Sequence, residues 1–224
     1  MNMNMKLKLT LLGMLAMLAT SAPAAIFTFQ NWSSSLGSPV AIPDGNPTGI
    51  ALQQAFSGGL TEGIASVDVR LNISGGYNGD LYGYLVLQSA DSSVTTAILL
   101  NRIGTSPTDA FGSSGSGFSS ITLSDTGTVN GNIHNATGTP SGLWQAGQLS
   151  GVTSLNTAFG GRNANGTWTL FLADMSGGSM SSIVSWGLDI SVVPEPATWA
   201  LAGFGVVLAL VAAGRRQLRG AVTK

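Results

Sequence analysis

Between residues 64 and 192 the chain alternates apolar and polar positions in short runs. In Ile64–Ile73, Val67, Val69, Leu71 and Ile73 point one way, and Ser66, Asp68, Arg70 and Asn72 the other. That period of two is the mark of a half-buried strand. Gly75-Gly76-Tyr77-Asn78-Gly79-Asp80 then reads as a turn. Leu81–Gln88 follows as a second strand with Leu81, Leu85 and Leu87 on one face, and Val94–Leu100 as a third, more uniformly apolar one. Residues 104–120 are rich in Gly and Ser and predict a long flexible loop, followed by a short strand at Ile121–Leu123. Residues 126–166 read as mostly irregular, with a packing point at Leu143 and Trp144. Trp168–Ala173 is a strand with Trp168, Leu170 and Leu172 on one side, and Met175–Met180 is a turn. Ile183–Val192 closes the series with Val184, Trp186, Leu188, Ile190 and Val192 facing in. Short strands, Gly-rich turns, no convincing amphipathic helix and no fixed-period repeat predict an all-β sandwich.

The two ends break this pattern with uninterrupted apolar runs. Lys6 and Lys8 precede Leu9–Ala19, and Ala22-Pro23-Ala24 supplies the small residues of a cleavage site. This predicts a signal peptide over 1–24, cut after Ala24 to leave Ala25 as the new N-terminus. At the other end, Ala197–Ala213 carries no charge. Its length sits at the lower limit of about 17 residues for a helix crossing a bilayer. Trp199 suits the outer headgroup layer. Arg215, Arg216 and Arg219 form a basic stop that stays cytoplasmic. Just outside this run stands Pro194-Glu195-Pro196, which can neither be helical nor pair as a central strand and so presents an extended backbone. The expected organisation is therefore a signal peptide (1–24), a sandwich ectodomain (25–192) and a C-terminal segment (193–224). That last segment divides into the motif 194–196, a single transmembrane helix 197–213 and a basic tail 214–224.

The sequence Val193-Pro194-Glu195-Pro196-Ala197-Thr198-Trp199-Ala200, the apolar helix and Arg215-Arg216 together resemble the PEP-CTERM sorting domain of Gram-negative bacteria. The resemblance implies an exosortase, a membrane cysteine protease, as partner, cutting at or near Pro194-Glu195-Pro196. It implies a chain exported across the inner membrane, held transiently as a single-pass membrane protein, and then delivered to the surface or the extracellular space. It also implies an association with exopolysaccharide or biofilm.

Charge narrows the partners. Residues 25–193 hold nine acids (Asp44, Glu62, Asp68, Asp80, Asp91, Asp109, Asp125, Asp174, Asp189) against three bases (Arg70, Arg102, Arg162), a net of −6. Such a surface argues against nucleic acid and anionic lipid, and is compatible with divalent cations or neutral glycans. There is no cysteine, which excludes a thiol nucleophile, a thiolate metal site and a disulfide scaffold.

The ectodomain also resembles the P domain that follows the catalytic domain of kexin- and furin-type proprotein convertases. The matching stretches are Ile42-Pro43-Asp44-Gly45-Asn46-Pro47, Tyr77-Asn78-Gly79-Asp80-Leu81 and Ala164-Asn165-Gly166-Thr167-Trp168-Thr169-Leu170 with Asp174. Ile183-Val184-Ser185-Trp186-Gly187-Leu188-Asp189-Ile190 completes them. Gly75-Gly76 stands where that family often has a His before the Tyr, and residues 104–160 match poorly. The resemblance implies a jelly-roll sandwich, without the Asp, His and Ser of the neighbouring protease. The ectodomain has one histidine, His134, expected to be a solvated loop residue. Gly104-Thr105-Ser106-Pro107 echoes a subtilase serine loop but is expected to be a surface turn.

Two carboxylate chemistries remain. Asp80 and Asp174 both follow turn motifs and could meet at one end of the sandwich, as a glycosidase pair must. Asp44, Asp80, Asp125 and Asp174 lie in turn-rich segments able to offer oxygens to calcium, although no loop has EF-hand spacing. Asp in Gly-rich turns usually closes the turn itself. The expected function is thus a non-catalytic binding or structural module with no cofactor assigned with certainty and calcium as the candidate ion. The alternatives are an accessory module for a secreted protease and a glycan-active enzyme.

Overall fold

The computed structural model describes residues 25–29 (backbone only), 38–58, 63–126, 130–192 and 205–206. In chain order the strands are β1 Ala25–Phe29, β2 Val40–Ala41, β3 Asn46–Phe56, β4 Ile64–Gly75, β5 Leu81–Ser89, β6 Val94–Asn101 and β7 Phe118–Leu123. After these come β8 Ser141–Trp144, β9 Gly147–Gln148, β10 Gly151–Val152, the helix α1 Leu155–Phe159, β11 Gly166–Asp174 and β12 Ser181–Val192. They form two sheets. Sheet 1 has the order β1-β12-β4-β7-β8 with β2 also on β12, and sheet 2 the order β10-β9-β6-β5-β11-β3. Pairing is antiparallel except for β7 with β8 and β6 with β9.

The alternation read from the sequence sets the inner faces. Val67, Val69, Leu71 and Ile73 of β4 are buried, as are Leu81, Leu85 and Leu87 of β5 and Trp168, Leu170 and Leu172 of β11. Together with Ile121, Leu123, Leu188 and Ile190 they build one continuous apolar core. Trp168 packs against Phe159 of α1, ring centroids 5.1 Å apart. The all-β sandwich is borne out. By contacts, Ala25–Val193 is one compact unit, and every buried apolar residue among the described residues belongs to it.

Several expectations need correction. Val184 was expected to face in. A β-bulge between Ile183 and Ser185 shifts the parity, so Ile183 is buried and Val184 is only half-buried. The sequence pattern did not reveal β3, an edge strand carrying Pro47 and Gly49 and placing polar Gln54 opposite Trp168. Residues 126–166 are not mostly irregular, since they contain β8, β9, β10 and α1. Trp144, read as a packing point, is half-buried against the core and donates its indole N–H to the Ser141 carbonyl (2.9 Å).

The Gly/Ser-rich segment 104–120 is held rather than flexible. The Asn78 and Gly79 amides donate to the Gly115 and Ser113 carbonyls (2.8 and 2.9 Å), and the Ser113 amide to the Ile103 carbonyl (2.8 Å). Buried Asn78 sends its side-chain amide to the carbonyls of Gly117 (3.1 Å) and Gly138 (3.0 Å). Glycine permits this closeness. Gly117 sits at φ 68°, and a Cβ on Gly115 would run into the Gly138 carbonyl and the Asn78 amide.

The signal peptide 1–24 lies outside the described residues. So do Pro194, Glu195, Pro196, Arg215, Arg216, Arg219 and all of 197–213 except Gly205 and Val206, which are helical. No helix among the described residues is long and apolar enough to cross a membrane.

Candidate functional site

β3, β11 and β5 end in register, with Asp174 opposite Leu81 on one side and Asn46 on the other. This brings three of the predicted carboxylates to one end of the sandwich. Asp44 lies just before β3, Asp80 closes a 3-10 turn (Asn78–Asp80) just before β5, and Asp174 is the last residue of β11. Each is tied to the β11–β12 turn. Both Asp44 carboxylate oxygens accept the Gly178 amide (3.1 and 3.0 Å), the Asp80 carbonyl accepts the Met175 amide (2.8 Å), and Asp174 Oδ1 accepts the Ser176 amide (3.3 Å).

Asp174 is fully buried, and its Oδ2 has no hydrogen-bond partner among the described residues. Burial pushes its carboxyl above the usual range, and the nearby Asp80 and Asp44 add to the rise. Asp80 is also raised by burial, against the opposing pull of Arg102, whose Nη2 stands 3.8 Å from Asp80 Oδ1. Arg102 is itself anchored, donating to the Gly79 carbonyl through Nε (3.2 Å) and to the Ala110 carbonyl through Nη2 (2.9 Å). Thus a strand-end arginine links the acidic end to the 104–120 loop.

Asp125 does not join this group. Its carboxylate receives the Ser154 hydroxyl (2.8 Å) and the amides of Leu155 (3.2 Å) and Asn156 (2.7 Å), capping the first turn of α1. That satisfies helix-end donors that would otherwise be orphaned. The four aspartates proposed for calcium therefore divide three and one. Among the described residues no three carboxylates or imidazoles converge closely enough to hold a metal ion.

A second acidic pairing escaped the sequence reading because only register creates it. Asp68 of β4 lies directly opposite Asp189 of β12. Asp189 forms an ion pair with Arg70, and burial raises the Asp68 carboxyl.

His134 is buried, correcting the expectation of a solvated residue. Its ring Nε2 lies 2.9 Å from the Thr105 carbonyl, so that nitrogen carries the proton and donates. Gly104, Thr105 and Ser106 of the Gly104-Thr105-Ser106-Pro107 stretch do come together with His134, around a cavity of about 480 Å³ that also includes Asp109, Ser113 and Asn135. Ser106 and His134 each hydrogen-bond to other groups. The Ser106 hydroxyl accepts the Asp109 amide (3.0 Å), while the imidazole N–H is taken by a backbone carbonyl. Asn78 and Arg102, which fix this end of the molecule, were missed as site residues. The Tyr77-Asn78-Gly79-Asp80 block was the available signal, but it shows a turn and not what the turn grips.

Residues 192–217 match the PEP-CTERM protein-sorting motif. No curated protein matches the chain. Among solved structures, a chain in the crystal structure of an Aeromonas sobria serine protease and chaperone complex is similar at 17% identity and a TM-score of 0.40. The match covers 79% of this chain and 27% of that one, so this chain spans about a quarter of the other's length. Motif and fold together define the class: a β-sandwich protein with a C-terminal sorting signal. The motif implies export, processing by an exosortase and delivery to the surface.

Proposed function

We propose that the chain is an exosortase substrate whose sandwich, Ala25–Val192, is a non-catalytic binding or structural module of the P-domain type. The observation that carries the sorting part is the PEP-CTERM match at 192–217, which begins at the last residue of β12. For the module, the support is how the ionisable side chains are employed. Asp125 caps α1, Asp44 holds the β11–β12 turn, His134 hydrogen-bonds backbone, and Asp174 is buried away from any substrate. The P-domain resemblance rests on the Asn165–Leu170 and Ser185–Leu188 blocks, which supply Trp168 and Trp186 to the inner faces of the two sheets.

In this reading the C-terminal helix holds the exported chain at the membrane until Pro194-Glu195-Pro196 is recognised. The sandwich then acts outside the cell through its surface, on exopolysaccharide or on a secreted protein. Mass spectrometry of both ends of the mature protein, from strains with and without exosortase, tests this. The expected species begins at Ala25 and lacks Arg215–Lys224 only where the enzyme is present. A C-terminus still carrying Arg215–Lys224 in the exosortase-positive strain would refute processing.

A further inference from the structure

Sheet 2 turns an uncharged outer face away from the core. Its strands contain no Lys, Arg or Glu, and their single Asp is the buried strand-end Asp174. The outer face of sheet 1, by contrast, carries Asp68, Arg70 and Asp189. Across the middle of sheet 2, register aligns Ala51, Phe171, Tyr84 and Ile98 in one row on four neighbouring strands. These positions alternate with the buried Leu170, Leu172 and Leu85, so they face outward, Ala51 exposed and Phe171, Tyr84 and Ile98 half-buried.

Tyr84 stacks on Phe171 with centroids 4.5 Å apart and planes 16° from parallel, and Tyr82 meets Tyr84 edge-on at 6.0 Å. Stacked rings on adjacent strands stand up from the sheet. Tyr84 therefore covers one side of Phe171. On the other side the cross-strand neighbour is Ala51, an exposed methyl on the edge strand β3. Two residues further along, Gln53 and Thr169 form the next cross-strand pair and offer an amide and a hydroxyl.

We propose that this face binds a neutral polysaccharide, with a pyranose ring packed on the Ala51 side of Phe171. The proposal rests on reading the sandwich as a binding module and names its ligand. A pyranose has a C–H face, which the negative face of an aromatic ring attracts. It also has a rim of hydroxyls, which Gln53 and Thr169 can pair. A charged polymer would have to be desolvated against a face with no counter-charge, and an anionic one is also repelled by the domain's net charge. An apolar protein surface would leave Gln53 and Thr169 without partners.

The test uses the full chain in a polyoxyethylene detergent, which has no sugar headgroup. It is titrated calorimetrically with neutral linear hexasaccharides (β-1,4-glucan, β-1,3-glucan and β-1,4-mannan) and with anionic hexagalacturonate. Saturable binding of at least one neutral oligomer with Kd below about 1 mM, and none of hexagalacturonate, is expected. Ala51→Leu places bulk beside Phe171 at an exposed position without removing a contact. Phe171→Leu keeps apolar bulk but loses the ring. Each is expected to weaken binding at least about tenfold, while Leu149→Ala beside the His134 cavity binds as the parent does. The assignment is overturned by absence of saturable neutral binding, by tighter binding of the anionic oligomer, or by unchanged affinity in the Ala51 and Phe171 variants. A concentration-dependent dimer in light scattering, abolished by Ala51→Leu, would instead make this face a self-association surface. Loss of this assignment with exosortase cleavage intact leaves the sorting reading standing.

Discussion

Replacing Asn78 with alanine removes the two side-chain hydrogen bonds that join the start of β5 to the 104–120 loop and to Gly138. The backbone bonds from 78 and 79 to Gly115 and Ser113 remain. The buried Gly117 carbonyl loses its donor, at about 1–3 kcal/mol, while the carbonyl of exposed Gly138 can turn to water and loses a net bond of about 0.5–1.5 kcal/mol. The change also removes Asn78 Oδ1, which is buried without a partner among the described residues, and so recovers about the cost of one such group. The net loss is about 1 kcal/mol, or about 2–4 °C in Tm for a domain of this size.

Asn78→Asp is the sharper variant. Ionised, it has no proton to donate and sets a charge against the two carbonyls. Protonated, it can donate once. Its carboxyl is therefore raised in the fold, so its stability deficit is largest at neutral pH and narrows as the pH falls through the raised value toward the unfolded one. The assay is thermal and urea unfolding of Ala25–Val193 between neutral and acidic pH, followed by circular dichroism. A loss under about 0.5 kcal/mol for Asn78→Ala, or an Asn78→Asp deficit that does not narrow on acidification, would refute the idea that these two bonds hold the loop.

Asp174→Asn is expected to raise stability at neutral pH by about 1 kcal/mol, the gain from losing the charge being partly offset by an unpartnered amide NH2 in place of Oδ2. It removes a buried charge near two like charges and keeps an acceptor for the Ser176 amide. Because the folded carboxyl is raised, the parent gains stability as the pH falls from that raised value to the unfolded one. The variant's advantage therefore shrinks over the same window, which paired urea titrations would show. Chelation with EDTA is expected to leave the Tm of Ala25–Val193 unchanged, given the spacing of the carboxylates. A fall of several degrees, restored by calcium, would show that an ion gathers Asp44, Asp80 and Asp174.

The inner faces of β4, β5 and β11 were legible because each strand buries alternate residues and the apolar set has the right period. The parity of β12 was legible only from Trp186 onward, since the bulge between Ile183 and Ser185 inserts a residue that no local pattern announces. β3 was hidden because an edge strand tolerates Pro47, Gly49 and Gln54. The loop at 104–120 looked mobile because Gly and Ser suit mobile loops. Here the same small residues let carbonyls approach Asn78. The acidic end was half legible: Asp80 and Asp174 were expected together, and Asp44 joins them, while Asp125 was taken by α1.

What the sequence determined by itself is whatever is written locally along the chain: the period-two strands, the acidic and cysteine-free ectodomain, and the linear sorting signal confirmed at 192–217. Tertiary structure alone decided what depends on register and closure. Gly178 reaches Asp44 across a separation of 134 residues, Phe171 stacks on Tyr84, and His134 is buried on the Thr105 carbonyl. The reason is physical. Side-chain period is a property of one strand, whereas a strand's partner and alignment follow from how two sheets share one core.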